Sequence, residues 1–131
     1  MSTVVIDTSV YIAILAQEPD APTLSVAIRT FRTRLMAAAS YLECAIVSAR
    51  WQAGRAELDA WLGRESIEIA PVDHALARIA ADAFARYGKG RHPAGLNFGD
   101  CFAYALARTL NAPLLFKGHD FARTDIASAR P

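Results

Sequence analysis

The fold is decided by a short stretch near the start of the chain, Val4-Val5-Ile6-Asp7-Thr8-Ser9. Its first three residues are apolar and β-branched, which is typical of a strand buried on both faces of a parallel sheet. Asp7 follows at once and is therefore predicted at the carboxyl end of that strand, where open α/β sheets bind ligands. Because this carboxylate is followed by two hydroxyl residues, the sequence favours a functional role for Asp7 over a purely structural one.

Two further acids occupy comparable places later in the chain. Asp100 falls in the first turn of a helix predicted at residues 101–110, and Asp120 lies in the polar loop that leaves a buried strand at residues 113–116. The helix is predicted from apolar residues that recur every four positions and form one face, namely Phe98, Phe102, Leu106 and Leu110. With Glu43, these acids suggest one carboxylate pocket, whose mutual repulsion a divalent cation would relieve.

The remaining sequence alternates between helical and strand patterns. Further helices are predicted at residues 9–16, from the turn at 19–22 to about 30, and at 40–51, 56–62 and 74–87; further strands are predicted at 35–38 and 67–69. Gly54 is predicted to stop the 40–51 helix, and Asp73 to cap the 74–87 helix. This alternation implies right-handed crossovers and a mainly parallel sheet covered on both faces.

Composition limits the class of protein. The 131 residues are 53% apolar, which predicts one domain spanning 1–131. A formal charge of +1 excludes a strongly basic surface, so a polyanion must be held locally. No apolar run reaches membrane-spanning length and no leader pattern precedes the first strand, so we expect a cytoplasmic protein without membrane contact. Cys44 and Cys101 have neither metal-site nor disulfide spacing and are predicted as buried, unreactive thiols.

Each later acid also has a structural explanation. Ser40-Tyr41-Leu42-Glu43 fits a capping box, so Glu43 taken alone is predicted as a helix cap. The helix dipole favours Asp100 in a first turn. Asp120 fits an ordinary loop residue that binds its own backbone. The four acids together are stronger evidence for a functional site than any one of them alone.

Four segments of the sequence carry a resemblance to a known family. They are Val5-Ile6-Asp7-Thr8-Ser9, Ala39-Ser40-Tyr41-Leu42-Glu43, Gly90-Arg91-His92-Pro93-Ala94-Gly95-Leu96-Asn97-Phe98-Gly99-Asp100-Cys101 and Pro113-Leu114-Leu115-Phe116-Lys117-Gly118-His119-Asp120-Phe121. Over nearly its full length the chain resembles the PIN-domain ribonucleases, specifically the VapC-type toxins of bacterial toxin–antitoxin pairs. The resemblance implies a single PIN domain, a three-layer α/β/α sandwich with a mainly parallel four- or five-stranded sheet.

The resemblance also implies a metal-dependent active site. The family's acids carry over to Asp7, Glu43 and Asp100, and the fourth to Asp120, with Asp125 as a second candidate. We expect Mg²⁺, with Mn²⁺ as a substitute, bound mainly by Asp7 and Asp100, and a metal-activated water that attacks the RNA phosphodiester. Glu43 would orient that water or accept its proton, and Asp120 would complete an outer position. The sequence leaves the number of metal ions open.

Substrate contacts are predicted around the acidic pocket. Arg91 and His92, with Lys89, precede Asp100 in a glycine-rich loop, whereas Lys117, His119 and Arg123 flank Asp120. Ser9 could hold a carboxylate or a bound water near the substrate, or could cap the following helix. Tyr41, Phe98 and Tyr104 could stack on bases, although core packing is the commoner fate of such aromatic residues. The implied substrate is tRNA, rRNA or mRNA, and its cleavage would inhibit translation or growth.

Partners follow from the resemblance alone. A VapB-type antitoxin would cover the active site, and the toxin would form a homodimer or, with antitoxin, a heterotetramer or larger assembly. Apolar surface for these contacts is predicted around Leu24 to Phe31 and on the helices with Trp51 and Trp61. Two alternatives are a catalytically inactive nucleic-acid or protein binding module of the same fold and a haloacid-dehalogenase-type phosphatase. The latter needs a second Asp where Ser9 stands.

Overall fold

The computed structural model describes residues 2–51 and 54–130, and in this part of the chain four strands form one wholly parallel sheet. The strands are β1 (Thr3–Ile6), β2 (Thr33–Ala37), β3 (Ile67–Ala70) and β4 (Leu114–Leu115). Their order across the sheet is β3-β2-β1-β4, so β1 is hydrogen-bonded on both sides, to β2 and to β4. The carboxyl end of β1 therefore lies between the carboxyl ends of β2 and β4.

Six α-helices and one short 3₁₀ helix are described. They are α1 (Thr8–Leu15), α2 (Ala21–Thr30), α3 (Ala38–Arg50), α4 (Gly54–Arg64), α5 (His74–Tyr87), α6 (Phe98–Leu110) and the 3₁₀ turn Phe121–Arg123. The prediction of α5 at residues 74–87 is confirmed, as is its Asp73 cap, whose carboxylate accepts from the Leu76 N–H at 2.8 Å.

Alternate residues of β1 enter two separate cores. Val4 and Ile6 pack with α1, α2, α3 and α4, whereas Val5 packs with α5 and α6. All three are fully buried, and each contributes about 1.5–3 kcal/mol of apolar burial. The predicted three-layer α/β/α sandwich is confirmed, with four strands.

Helix α3 differs from its predicted start. It begins at Ala38 with Ala37 as N-cap and without a side-chain cap bond, so Ser40 already lies inside its first turn. The capping-box interpretation of Glu43 is therefore wrong, because that motif requires Ser40 to precede the helix. Gly54 does not stop α3 but begins α4, with a φ of +73° that favours glycine.

The predicted apolar face of α6 is also wrong in part. Leu106 is buried and Phe102 half-buried, but Phe98 is 79% exposed and Leu110 is 41% exposed. A four-residue step turns the helix about 40° past one full turn, so a row with this spacing drifts off the core side. The buried face is instead made mainly of small residues, namely Gly99, Cys101, Ala103, Ala105 and Ala107, together with Tyr104 and Leu106.

Two expectations about apolar surface have different outcomes. Trp61 is buried and its ring packs 5.0 Å from that of Tyr11, so it offers no surface to a partner. Trp51 and Val26 are exposed.

None of the helices within residues 2–51 and 54–130 combines the length and the apolar character that crossing a membrane requires.

Candidate active site

Asp7 lies where β1 passes into α1 and caps that helix. Its side chain is buried, and its Oδ2 accepts from the Ser9 N–H at 3.0 Å and from the Ser9 hydroxyl at 2.6 Å. The same hydroxyl accepts from the Lys117 N–H at 2.9 Å, just beyond β4. Ser9 is therefore not the cap of α1, and its hydroxyl ties the Asp7 carboxylate to the loop after β4.

Glu43 reaches the same region from the second turn of α3. The Thr8 hydroxyl donates to Glu43 Oε1 at 2.9 Å and also lies 3.3 Å from the Ser40 carbonyl oxygen. The Glu43 carboxylate rests against Gly99, in the space that a β-carbon at that position would occupy. The absence of a side chain at Gly99 thus allows the start of α6 to approach α3.

Asp100 is the third residue of α6 and completes a capping box with Asn97. Its Oδ2 accepts from the Asn97 N–H at 3.0 Å, and its own N–H donates to Asn97 Oδ1 at 2.9 Å. These bonds fix the carboxylate at the amino end of the helix. The structural and functional interpretations of Asp100 are therefore compatible.

The acids influence one another electrostatically. Burial raises the pKa of Asp100 to about 7, and the charges of Asp7, Asp120 and Glu43 contribute to this rise. Burial also raises the pKa of Asp7, to which the charge of Asp120 adds, while the hydrogen bonds from Ser9 oppose it. The pKa of Glu43 is raised by burial and by the charge of Asp7. The structure therefore places the four predicted acids close enough for their charges to influence one another.

The alternative acid, Asp125, lies in a different network. It accepts from the buried Tyr104 hydroxyl at 2.5 Å and pairs with Arg86 at 3.6 Å and Arg108 at 3.3 Å. The hydrogen bond from Tyr104 is the main cause that lowers the pKa of Asp125. Asp125 fastens the C-terminal segment to α5 and α6, which favours Asp120 as the fourth acid of the pocket.

The predicted substrate-binding residues fall into different environments. The Lys117 ammonium binds Glu18 Oε1 at 2.5 Å and Asp20 Oδ1 at 3.0 Å, so its charge is already compensated. His92 Nδ1 accepts from the Ala94 N–H at 3.0 Å, which shapes the loop before α6. Arg91 has its guanidinium 5.9 Å from the centre of the Phe84 ring. Unlike the Lys117 ammonium, the Arg91 guanidinium forms no ion pair within residues 2–51 and 54–130.

The aromatic candidates divide in the same way. Tyr104 is buried and its hydroxyl is bound to Asp125. The half-buried Tyr41 donates to Asp59 at 2.6 Å, whereas Phe98 is largely exposed at the start of α6. Only Phe98 of this group presents a free ring face.

A divalent cation fits the chemistry of the pocket. Within the described ranges 2–51 and 54–130, no three His, Cys, Asp or Glu side chains form a ready-made metal cluster. Mg²⁺ commonly uses one or two carboxylates and retains water for its other positions, so Asp7 and Asp100 would suffice. Both have raised pKa values, which a cation would lower. Burial raises the pKa of the Cys44 thiol to about 12 and of Cys101 to about 11, which disfavours thiolate ligands.

Reasoning from the sequence did not assign a role in the site to Asn97, Thr8 or Gly99. The Asn97 and Asp100 spacing is that of a capping box and carried a usable signal. Thr8 and Glu43 are 35 residues apart, so their hydrogen bond had no local signal. The closeness of Gly99 to Glu43 likewise depends on how α3 and α6 pack.

Comparison with known proteins identifies the family. The sequence model of the PIN domain matches residues 4–127. The ribonuclease VapC of Mycolicibacterium smegmatis is 53% identical over 126 residues, which cover 95% of this chain and 98% of that protein. The crystal structure of Mycobacterium tuberculosis VapC20, a sarcin–ricin loop cleaving toxin, has a TM-score of 0.77 at 19% identity and covers 98% of this chain and 99% of that chain. The structure of VapBC2 from Rickettsia felis, bound to a DNA fragment from its promoter, has a TM-score of 0.73 at 15% identity and covers 96% of each chain. The chain therefore belongs to the PIN-domain family, within its VapC group.

Proposed function

We propose that this protein is the endoribonuclease toxin of a toxin–antitoxin pair and cleaves RNA phosphodiester bonds with a divalent cation. The observation that carries the proposal is the pocket in which Asp7, Glu43, Asp100 and Asp120 act on one another's charge. Negative charges held this close together, one of them on the buried Asp7, are costly without a cation, and acids that bind catalytic metals have this character. The membership in the VapC group supports RNA as the substrate.

Asp7 and Asp100 would hold the cation, Mg²⁺ or Mn²⁺. When bound, the ion would activate water and neutralise charge on the phosphoryl oxygens. Asp7 is oriented by Ser9, and Asp100 by the amide of Asn97, so both carboxylates are fixed before any ligand arrives. Asp120, which is exposed, would supply an outer contact.

Glu43 would accept the proton of the attacking water. Its raised pKa makes it a better proton acceptor near neutral pH than an ordinary carboxylate. The Thr8 hydroxyl donates to Oε1 and so holds the carboxylate in place. The proton would then pass to the leaving hydroxyl oxygen or to solvent.

A VapB-type antitoxin is the proposed partner. Leu42 and Ile46 are exposed and one helical turn apart on α3, on either side of Glu43 in the sequence. An amphipathic segment laid over them would also cover the pocket. The antitoxin would inhibit in this way, and the toxin would form a homodimer and larger assemblies with antitoxin. The VapBC2 structure from R. felis supports an antitoxin as the partner.

The test is incubation of purified, antitoxin-free protein with total bacterial RNA in Mg²⁺ or Mn²⁺. Discrete cleavage is expected, and it should disappear with EDTA and in Asp100→Asn. The fragment ends would identify the target among tRNA, rRNA and mRNA. Absence of cleavage in every metal, together with tight antitoxin binding, would instead support an inactive binding module.

Growth provides a second test. Expressed alone, the protein should arrest bacterial growth, whereas Asp7→Asn should be harmless, because it removes a charged ligand while preserving side-chain size. Equal toxicity of the two proteins at equal expression would contradict the proposed active site.

A further inference from the structure

Lys117 is bound to other parts of the chain through its backbone and through its side chain. Its backbone N–H donates to the Ser9 hydroxyl at 2.9 Å, and that hydroxyl donates in turn to Asp7 Oδ2 at 2.6 Å. Its ammonium lies between two carboxylates, 2.5 Å from Glu18 Oε1 and 3.0 Å from Asp20 Oδ1. One residue therefore joins the Asp7 carboxylate to the turn between α1 and α2.

Asp20 shows that this contact takes precedence over an ordinary helix cap. It is the N-cap residue of α2, where an aspartate usually accepts from a backbone N–H of the helix. Its side chain accepts from none of the N–H groups at the described start of α2. Instead, Oδ1 accepts from the Lys117 ammonium and Oδ2 from the Arg130 guanidinium at 2.8 Å. The Asp20 carboxylate therefore serves contacts with later segments of the chain.

The loop that contains Lys117 also carries Asp120. Strand β4 before this loop has only two residues, and Gly118 within it adopts a φ of +104° that favours glycine. The Asp120 side chain does not cap the described 3₁₀ turn that follows, so the position of this acid is set by the backbone of the loop. The charge of Asp120 acts on Asp7, which places the two acids near each other. Fixing the loop therefore affects both acids.

We propose that Lys117 is a positioning residue for the acids that bind the cation. Its ammonium, held by Glu18 and Asp20, fixes the loop after β4. Its N–H then holds the Ser9 hydroxyl in the orientation that donates to Asp7. The inference rests on the proposed ribonuclease function, since it concerns the affinity of that site for Mg²⁺ or Mn²⁺. In this role Lys117 touches neither the cation nor the RNA, unlike the phosphate contact predicted from the sequence.

The direction of the change in metal affinity separates this role from a simple effect of charge. Removing a positive charge near clustered carboxylates should by itself make the site bind a cation more tightly. Loosening the loop should do the reverse, because the carboxylates are then no longer held in place by their hydrogen-bond partners. Weaker cation binding after loss of the lysine charge would therefore indicate an effect of geometry.

The test measures Mn²⁺ binding to purified, antitoxin-free protein without RNA, from the electron paramagnetic resonance signal of the free ion. Lys117→Met, which keeps nearly the same side-chain length without the charge, should raise the dissociation constant about threefold to tenfold. Ser9→Ala, which removes a direct partner of Asp7, should raise it by about 10- to 100-fold. Lys117→Arg should stay near the wild-type value. Arg130→Gln, which removes the other ion pair of Asp20, is the matched control and should also stay near it.

Two further measurements identify the cause. In the double variant Glu18→Gln, Asp20→Asn the ammonium has lost its charged partners, so adding Lys117→Met should not weaken Mn²⁺ binding further. Thermal melts of Lys117→Met should shift by no more than a few degrees, because partly exposed ion pairs contribute little to stability. The variant is then folded while its metal affinity is measured.

The outcomes separate this proposal from the broader one. Unchanged or tighter Mn²⁺ binding by Lys117→Met would refute the positioning role and leave the ribonuclease intact. Weaker RNA binding in EDTA with unchanged Mn²⁺ affinity would make Lys117 a phosphate contact and would also refute the positioning role. If the wild type neither binds Mn²⁺ nor cleaves RNA, the proposed ribonuclease function itself is wrong.

Discussion

Gly99 offers a sharp test of the active-site geometry, through the substitution Gly99→Ala. The added β-carbon would overlap the Glu43 carboxylate, closer than any real non-bonded contact. One methyl group must therefore displace Glu43 from its place beside Asp100. The displaced carboxylate also loses its hydrogen bond from Thr8.

The expected effects on stability and on activity differ greatly in size. Replacing a helical glycine by alanine stabilises by about 0.5–1 kcal/mol. The lost hydrogen bond costs about 0.5–1.5 kcal/mol, so the free energy of unfolding should change by less than about 1 kcal/mol. Displacing a general base should lower the cleavage rate by a factor of about 10²–10⁴.

The assay combines thermal unfolding with the rate of RNA cleavage, and Gly63→Ala is the matched control. Gly63 is a helical glycine of α4, and nothing lies within 4 Å of a β-carbon added there. The control should be slightly stabilised and fully active. Gly99→Ala should keep a melting temperature within a few degrees of the wild type and lose most of its cleavage.

A double-mutant cycle identifies the cause. In a Glu43→Ala background there is room for the added methyl group, so Gly99→Ala should stabilise like the control and cause no further loss of cleavage. Wild-type cleavage by Gly99→Ala alone would refute the placement of Glu43. A further large loss in the Glu43→Ala background would show that the methyl group acts on something other than Glu43.

Three further predictions follow from the hydrogen bonds and charges of the site. Asp120→Asn should lower cleavage at limiting Mg²⁺, whereas Asp125→Asn should lower the melting temperature and leave the metal dependence unchanged; the reverse pattern would make Asp125 the fourth acid. Since the pKa of Asp100 is raised from 3.8 to about 7, the metal-free folded state binds this proton more tightly than the unfolded chain. That stabilisation is complete below about pH 4 and is lost as the pH rises through about 7, so thermal melts should show the loss, and Asp100→Asn should flatten it. Thr8→Val should reduce cleavage by freeing Glu43, and Thr8→Ser should restore it; equal rates in the two variants would exclude the hydroxyl as the cause.

Local sequence patterns predicted the elements that place the acids. The apolar run before Asp7 and the helical period of α5 are local signals, and both elements occur within one residue of the predicted bounds. Because the carboxyl ends of parallel strands meet at one edge, the sequence also implied that distant acids would converge. Those inferences needed only periodicity and general rules of α/β topology.

The errors concern contacts between elements. Glu43 fitted a local cap, but α3 begins earlier and its carboxylate binds Thr8 instead. Lys117 appeared free for RNA, yet its partners Glu18 and Asp20 are 99 and 97 residues away in the chain. Such pairings are decided by tertiary packing, which overrides equally plausible local alternatives.

The two roles of Asp100 determine which substitution tests its charge. Asparagine can still accept a hydrogen bond from the Asn97 amide, so Asp100→Asn should preserve the start of α6. Asp100→Ala should lose that one bond of the capping box, at a cost of about 0.5–1.5 kcal/mol. Both variants remove one negative charge from the pocket and should abolish metal-dependent cleavage. If metal-free Asp100→Asn at pH 8 is at least as stable as the wild type while Asp100→Ala is less stable, the carboxylate charge serves metal binding at the expense of folding. A large loss of stability in Asp100→Asn itself would mean that the charge stabilises the helix start, and would contradict the raised pKa.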